Sequence, residues 1–263
     1  SNGGLHVSSN DSMSKTLIVA FSLSIVCAIF VSTAAVLLKP AQEINKTLDR
    51  KRNILAAAGM LDEDRSVEEQ FSQVTTRLVD LRTGKFTDDK DPEKYDQRKA
   101  AKDSAESVGL SDEQDIANIA RRENYSLVYV VESGSGDIDK IILPIRGYGL
   151  WSTLYGFIAL ENDANTVAGL GFYEHGETPG LGGEVDNPRW KSVWPGKQVY
   201  RDGDVAVGLV KGAVDTSSAN APWQIDGLAG ATLTSRGITN LVQFWLGENG
   251  FEPFLNNLKS GEA

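Results

Sequence analysis

Hydrophobic and polar positions divide this chain into three textures. Residues 16–38 form an uncharged, largely apolar run of 23 residues bounded by Lys15 and Lys39. As a helix that run is roughly 35 Å long, enough to cross a bilayer core of about 30 Å. The rival is a cleaved signal peptide ending at the small residues Ser32, Thr33, Ala34 and Ala35. Val36, Leu37 and Leu38 carry the apolar run past that point, so a retained span is the better reading. Residues 1–15, polar and rich in Ser, Asn and Gly, are expected to be a disordered tail.

The second texture, residues 39–125, is helical and charged. Residues 43–60 put Ile44, Leu48, Leu55 and Ala58 on one side of a helix. Ser66 followed by Glu69 is a capping box and predicts a helix over 66–73. Val79 and Leu81 predict a short strand, 83–93 a charged turn region and 96–107 a mostly solvated helix. The Lys- and Asp-rich run 90–102 reads as an exposed face, without assigned function.

In residues 126–263, the core, the texture changes to strands. They are expected at 127–131, 141–145, 154–160, 167–173 and 205–210, with turns at Gly134-Ser135-Gly136 and Asn162-Asp163-Ala164-Asn165. Ile238, Leu241, Val242 and Trp245 recur at helical spacing and predict a helix starting at Thr234 or Ser235. Short adjacent strands with brief turns, flanked by helices, make an α+β fold with an antiparallel or mixed twisted sheet. The organisation is then one N-terminal transmembrane helix followed by one domain. No Gly-x-Gly-x-x-Gly follows a strand to open a helix, which argues against a dinucleotide site.

Charge sharpens this picture. The chain holds 26 Lys+Arg against 36 Asp+Glu, a net charge of −10. Asp11 and Lys15 are the charged residues before position 39, so the whole excess lies in the C-terminal part. Such a surface repels phosphate backbones, and nucleic acid is not an expected partner. One Cys and two His residues supply too few ligands for a zinc site or an iron–sulfur cluster, and no internal disulfide can form. Cys27, within the span, reads as a small apolar residue. Lys39, Lys46, Arg50, Lys51 and Arg52 follow the span and Lys15 alone precedes it, so the positive-inside rule puts the domain in the cytoplasm.

Two stretches carry candidate chemistry. In Asp226-Gly-Leu-Ala-Gly-Ala-Thr232, Gly230 frees the backbone for a tight turn, Ala231 keeps the approach to it narrow, and Thr232 presents a hydroxyl beside a helix start. Unpaired N–H groups and the helix dipole suit a phosphate there; the plainer alternative is that Thr234 or Ser235 simply caps the helix. In His175-Gly-Glu-Thr-Pro-Gly-Leu-Gly-Gly-Glu184, Gly and Pro make a loop whose backbone can approach a flat ligand, with Leu181 over an apolar face. Its plainer alternative is a connecting loop.

Asp-x-x-(Ser/Thr)-Gly-Ala-Thr and Glu-Thr-Pro-Gly-Leu-Gly resemble the two hallmarks of domains that carry FMN on Thr through a phosphoester. The first departs at Ala229, where that family has Ser or Thr. The single span, Tyr95-Asp-Gln-Arg-Lys-Ala-Ala-Lys102, Ile142-Leu-Pro144, Gly149-Leu-Trp151, Val210-Lys-Gly212 and Phe244-Trp-Leu-Gly247 extend the resemblance. Together they are similar to the C-subunit family of bacterial sodium-translocating NADH:quinone oxidoreductases. The paralogous G subunit of Rnf-type complexes is the alternative, and a membrane-anchored binding or scaffold module without flavin is the rival of another class.

The resemblance implies covalent FMN on Thr232, with Asp226, Gly230 and Ala231 shaping its turn. It implies that Thr178, Leu181 and Gly182 line the isoalloxazine ring, that Trp151 packs beside it, and that Lys211 supplies positive charge. No residue is assigned as catalytic and no metal site is expected; His175, just before the loop, reads as a structural hydrogen-bonding residue rather than a catalytic one. The resemblance also implies an electron relay from an iron–sulfur centre in neighbouring membrane subunits to the FMN of the B subunit, reducing ubiquinone and driving sodium export. Expected partners are the B, D and E subunits, a flavin transferase during maturation, and the lipid bilayer. The domain would face the periplasm, against the charge count.

Overall fold

The computed structural model describes residues 13–134 and 136–263. It begins with helix α1 (Met13–Ala57), followed by α2 (Val67–Phe71), β1 (Val74–Asp80) and β2 (Lys85–Thr87). A one-turn helix α3 (Gln97–Ala100) and the strands β3 (Ser107–Gly109) and β4 (Arg121–Glu123) come next. Four long strands follow: β5 (Tyr125–Glu132), β6 (Ile138–Tyr148), β7 (Thr153–Glu161) and β8 (Val167–Glu174). After α4 (Pro188–Lys191) come the two-residue strands β9 (Tyr200–Arg201), β10 (Asp204–Val205), β11 (Gly208–Leu209) and β12 (Gln224–Ile225). Helices α5 (Thr232–Leu246) and α6 (Glu252–Ser260) close the chain.

Two units separate within it, residues 1–47 and 48–263. In the first, apolar side chains such as Leu17, Phe21, Ile25 and Ile29 stand exposed along α1. Among the described residues this helix is the one long and apolar enough to cross a membrane. Helix begins at Met13, inside the expected tail; residues 1–12 lie outside the described residues. The expected break between a span at 16–38 and a second helix at 43–60 is absent. Pro40 removes one N–H, but Ala41, Gln42 and Glu43 resume the helix at once. It stops where Gly59 takes φ +67° and Met60 N–H returns to the Leu55 carbonyl.

The second unit is built on one six-stranded sheet of order β2-β1-β5-β6-β7-β8, antiparallel throughout. Both of its faces are covered, so the central strands are near-continuous apolar runs rather than alternating ones. Leu127, Tyr129 and Val131 point to the face covered by Ile54, Leu55 and Ala57 of α1. Val128 and Val130 point to the face covered by Ile238, Leu241, Val242 and Trp245 of α5. Fully burying each such aliphatic side chain contributes about 1.5–3 kcal/mol.

Several expected elements change. The strand inferred from Val79 and Leu81 begins earlier, at Val74, because β1 pairs with β5 along its whole length. The charged turn at 83–93 contains β2, which hairpins back onto β1. The helix expected over 96–107 shortens to α3, since Asp103 draws the Ala105 N–H into a turn and Ser107 enters β3. The strand expected at 205–210 is broken: Val207 carbonyl accepts from Gln243 and Leu209 N–H donates to Thr239, so α5 takes bonds that a ladder would use. Val205 pairs antiparallel with Tyr200, and Gly208 and Leu209 pair in parallel with Gln224 and Ile225.

Ser66 does cap α2, its hydroxyl accepting from Glu69 N–H at 3.2 Å. A Ser66→Ala variant should lose about 1 kcal/mol of stability in urea titration, with unchanged slope. No loss would show that α2 is held by packing alone.

Candidate functional site

Helix α5 fixes the site, because the Ile238–Trp245 stripe is buried and its first turn is thereby anchored. Helix starts at Thr232, two residues earlier than expected, with Ala231 at the cap and no side chain bonded to it. Thr234 and Ser235 do not cap it. Thr234 Oγ1 donates inward to Glu177 Oε2 at 2.6 Å, and Ser235 Oγ accepts from Leu228 N–H at 3.0 Å. Among the described residues, the N–H groups of Thr232, Leu233 and Thr234 meet no backbone or side-chain acceptor. They are the orphan donors of a helix N-terminus, where negative charge is favoured.

A cleft of about 420 Å³ opens at this turn, lined by Lys211, Gly230, Thr232 and Arg236 among others. Gly230 holds φ +71°, a left-handed turn that brings Thr232 to the cleft, and Thr232 is exposed there. Lys211, exposed and just after β11, lines the same cleft. Neither it nor Arg236 is ion-paired among the described residues. Arg236 escaped the sequence reading. Its signal was the helical spacing, which puts it one turn beyond Thr232 on the same side.

Thr178, Leu181, Gly182 and Trp151 lie outside the cleft lining, but the two motifs do meet. A Cβ on Gly230 would stand 3.0 Å from Leu181 Cδ2. Leu181 and Trp151 are both exposed, at 43% and 66%. The Thr178 carbonyl accepts from Leu181 and Gly183 N–H, closing the loop on itself. Asp226 is off the cleft: its Oδ1 accepts from Val214 N–H at 2.8 Å and so orders the segment between the two residues. Ala231 is buried at the helix cap.

Glu177, the first residue of the Glu-Thr-Pro-Gly-Leu-Gly motif, to which no role of its own was assigned from sequence, ties these pieces together. It is 5% exposed. Its Oε1 accepts from the N–H groups of Leu150, Trp151 and Ser152 at 3.0, 3.0 and 3.3 Å, while Oε2 accepts from Thr234. Gly182 lies so close that a Cβ there would stand 2.7 Å from both Glu177 Oε2 and Thr234 Oγ1. Burial pushes the Glu177 carboxyl upward. The Thr234 hydroxyl and the three N–H groups outweigh that and hold it below the ordinary glutamate value. A group lowered in this way adds stability above its unfolded value and loses it as pH falls through the folded one. Acid therefore loosens this junction. His175 has the structural role expected: Nδ1 accepts from Glu177 N–H and Nε2 bonds Asp186.

The arrangement offers an exposed hydroxyl, a ring of free N–H donors and two cations at one cleft, with an apolar-edged loop beside it. That is a fit for a phosphate-bearing cofactor whose flat part rests on the loop. Comparison with known proteins agrees. Residues 149–247 match the FMN-binding domain family. The C subunit of the Na(+)-translocating NADH-quinone reductase of Pseudomonas aeruginosa is 55% identical, over 98% of this chain and 100% of its own length. Its counterpart in Vibrio anguillarum is 49% identical, over 97% and 98%. The crystal structure of Shewanella oneidensis NqrC superposes with a TM-score of 0.75 at 38% identity, covering 82% of this chain and 99% of that one.

Proposed function

From a chain that belongs to the C-subunit family of Na(+)-translocating NADH-quinone reductases, we propose an electron-relay subunit carrying FMN esterified to Thr232. As a member of that family the chain is part of an oxidoreductase complex and contains an FMN-binding domain. Bound FMN supplies an isoalloxazine that accepts and returns single electrons. The protein's part is to hold, orient and charge-balance it. Thr232 provides the ester oxygen, and the first-turn N–H groups with Lys211 and Arg236 offset the phosphate charge. Thr178, Leu181 and Trp151 form the exposed surface against which the ring rests, with Gly182 buried behind it against Glu177 and Thr234. Asp226, Gly230 and Ala231 keep the acceptor turn in shape.

A tethered carrier cannot leave between turnovers, which suits a relay. The proposed direction is from an iron–sulfur centre in neighbouring membrane subunits to the FMN of the B subunit, coupled to ubiquinone reduction and sodium export. The B, D and E subunits are the proposed immediate partners, and a flavin transferase the maturation partner. The observation that carries the reading is the exposed Thr232 hydroxyl at a helix N-terminus without a side-chain cap, beside Lys211 and Arg236, which form no ion pair among the described residues. Identity of 55% along nearly the whole chain favours this complex over an Rnf-type one, and the FMN-binding match disfavours an anchored module without flavin. The test is in-gel flavin fluorescence: chain made with the transferase should fluoresce after denaturation, and a dark band would refute the ester.

We further propose a single span in the bacterial inner membrane with the domain periplasmic, contrary to the Lys/Arg count. One span inside a multi-subunit complex can have its orientation fixed by partners. An Asp89→Cys variant, with Cys27 replaced by Ser, should label with an impermeant thiol reagent on intact cells, since Asp89 is exposed. Labelling only after lysis would put the domain inside.

A further inference from the structure

Glu177 poses a physical question that its tethering role leaves open. A buried carboxylate is costly unless surrounded by donors, and no cation is among its partners within the described residues. A neutral Gln would tether as well, because its side-chain oxygen accepts the same three N–H bonds and its amide can donate to a turned Thr234 hydroxyl. What the carboxylate adds is a fixed negative charge. It lies in a water-poor junction between the Leu150–Ser152 turn, Gly182 and the first turn of α5. Fixed charges act strongly in such surroundings.

We infer that Glu177 is a positioning residue that seats the ring-facing segments and, through its buried charge, holds the reduction potential of the carried flavin down. The inference rests on the proposed attachment of FMN at Thr232. Adding an electron beside a fixed negative charge is disfavoured, so the charge opposes reduction. The Thr234 hydroxyl, donating to Oε2, partly compensates that charge and opposes the effect of the carboxylate.

Redox titration of the flavin-loaded full chain tests this by sign. Glu177→Gln keeps the bonds and removes the charge, so its midpoint should move to more positive potential. Thr234→Val keeps the carboxylate and removes one compensating donor, so its midpoint should move to more negative potential. A purely structural residue would give no shift, or shifts of one sign in both variants. Equal midpoints for Glu177→Gln and the parent would overturn the inference, as would shifts in the same direction. Should Glu177→Gln not fold, Thr234→Val decides alone: an unchanged or more positive midpoint overturns it. A parent chain lacking flavin at Thr232 is a different result, and it would sink the proposed function itself.

Discussion

Thr232→Val should abolish covalent flavin completely while leaving the fold intact. The side chain is exposed, and among the described residues its hydroxyl makes no hydrogen bond within the chain. Val matches its shape at the first helical position, so stability should change by no more than about 0.5 kcal/mol. The core stripe of α5 is untouched, with Ile238, Leu241 and Trp245 fully buried as before. What disappears is the oxygen proposed to carry the phosphate ester. The variant, co-expressed with the transferase, should be colourless after denaturing purification and should melt with the apo parent. Flavin retained through denaturation would move the attachment elsewhere.

Gly237→Ala is the second large effect, and its sign goes against intuition. Inside an exposed helix, Gly to Ala is worth about 0.8–1.0 kcal/mol of added stability. Here α5 lies directly on the turn between β6 and β7. A Cβ at 237 would stand 2.4 Å from the Tyr148 carbonyl oxygen and 2.9 Å from Gly149 Cα. These are backbone atoms and cannot swing aside. Overpacking of this kind costs about 1–3 kcal/mol or more, and contact this short belongs at the upper end. Propensity is outweighed, and urea titration should show a net loss of roughly 2 kcal/mol. Function should suffer as well. The turn that is pushed away carries Leu150, Trp151 and Ser152, whose N–H groups bond Glu177. Flavin loading should therefore fall. A gain in stability would mean that the turn yields without cost.

Elements are legible in the sequence where one physical signal dominates. The four long strands were legible because their apolar runs are bounded by turn residues, and short connections narrowed the sheet to antiparallel or mixed, of which the six-stranded sheet is the first. The two Gly-rich breaks were legible as a helix start and a loop, and their link to flavin came from the family resemblance, not from their composition. Errors gathered where tertiary bonds replace local ones. Helix α5 begins early because Thr234 and Ser235, good capping residues by type, are drawn to Glu177 and Leu228 instead. The strand expected at 205–210 dissolves because Gln243 and Thr239 of α5 take its backbone bonds. Glu177 could not be found from spacing. It heads the Glu-Thr-Pro-Gly-Leu-Gly motif, but its tethering role emerges only when the fold brings three N–H groups from the Leu150–Ser152 turn and one hydroxyl from α5 around it. Arg236 was hidden similarly, since its meaning comes from sharing a cleft with Lys211, which precedes it by a whole segment of chain.

The most direct measurement is the mass of the proteolytic peptide that contains Thr232, from chain matured with the flavin transferase. The account predicts a gain equal to FMN less one water, with fragment ions assigning it to Thr232 and not to Thr234 or Ser235. An unmodified peptide, or flavin on either neighbouring hydroxyl, would contradict it.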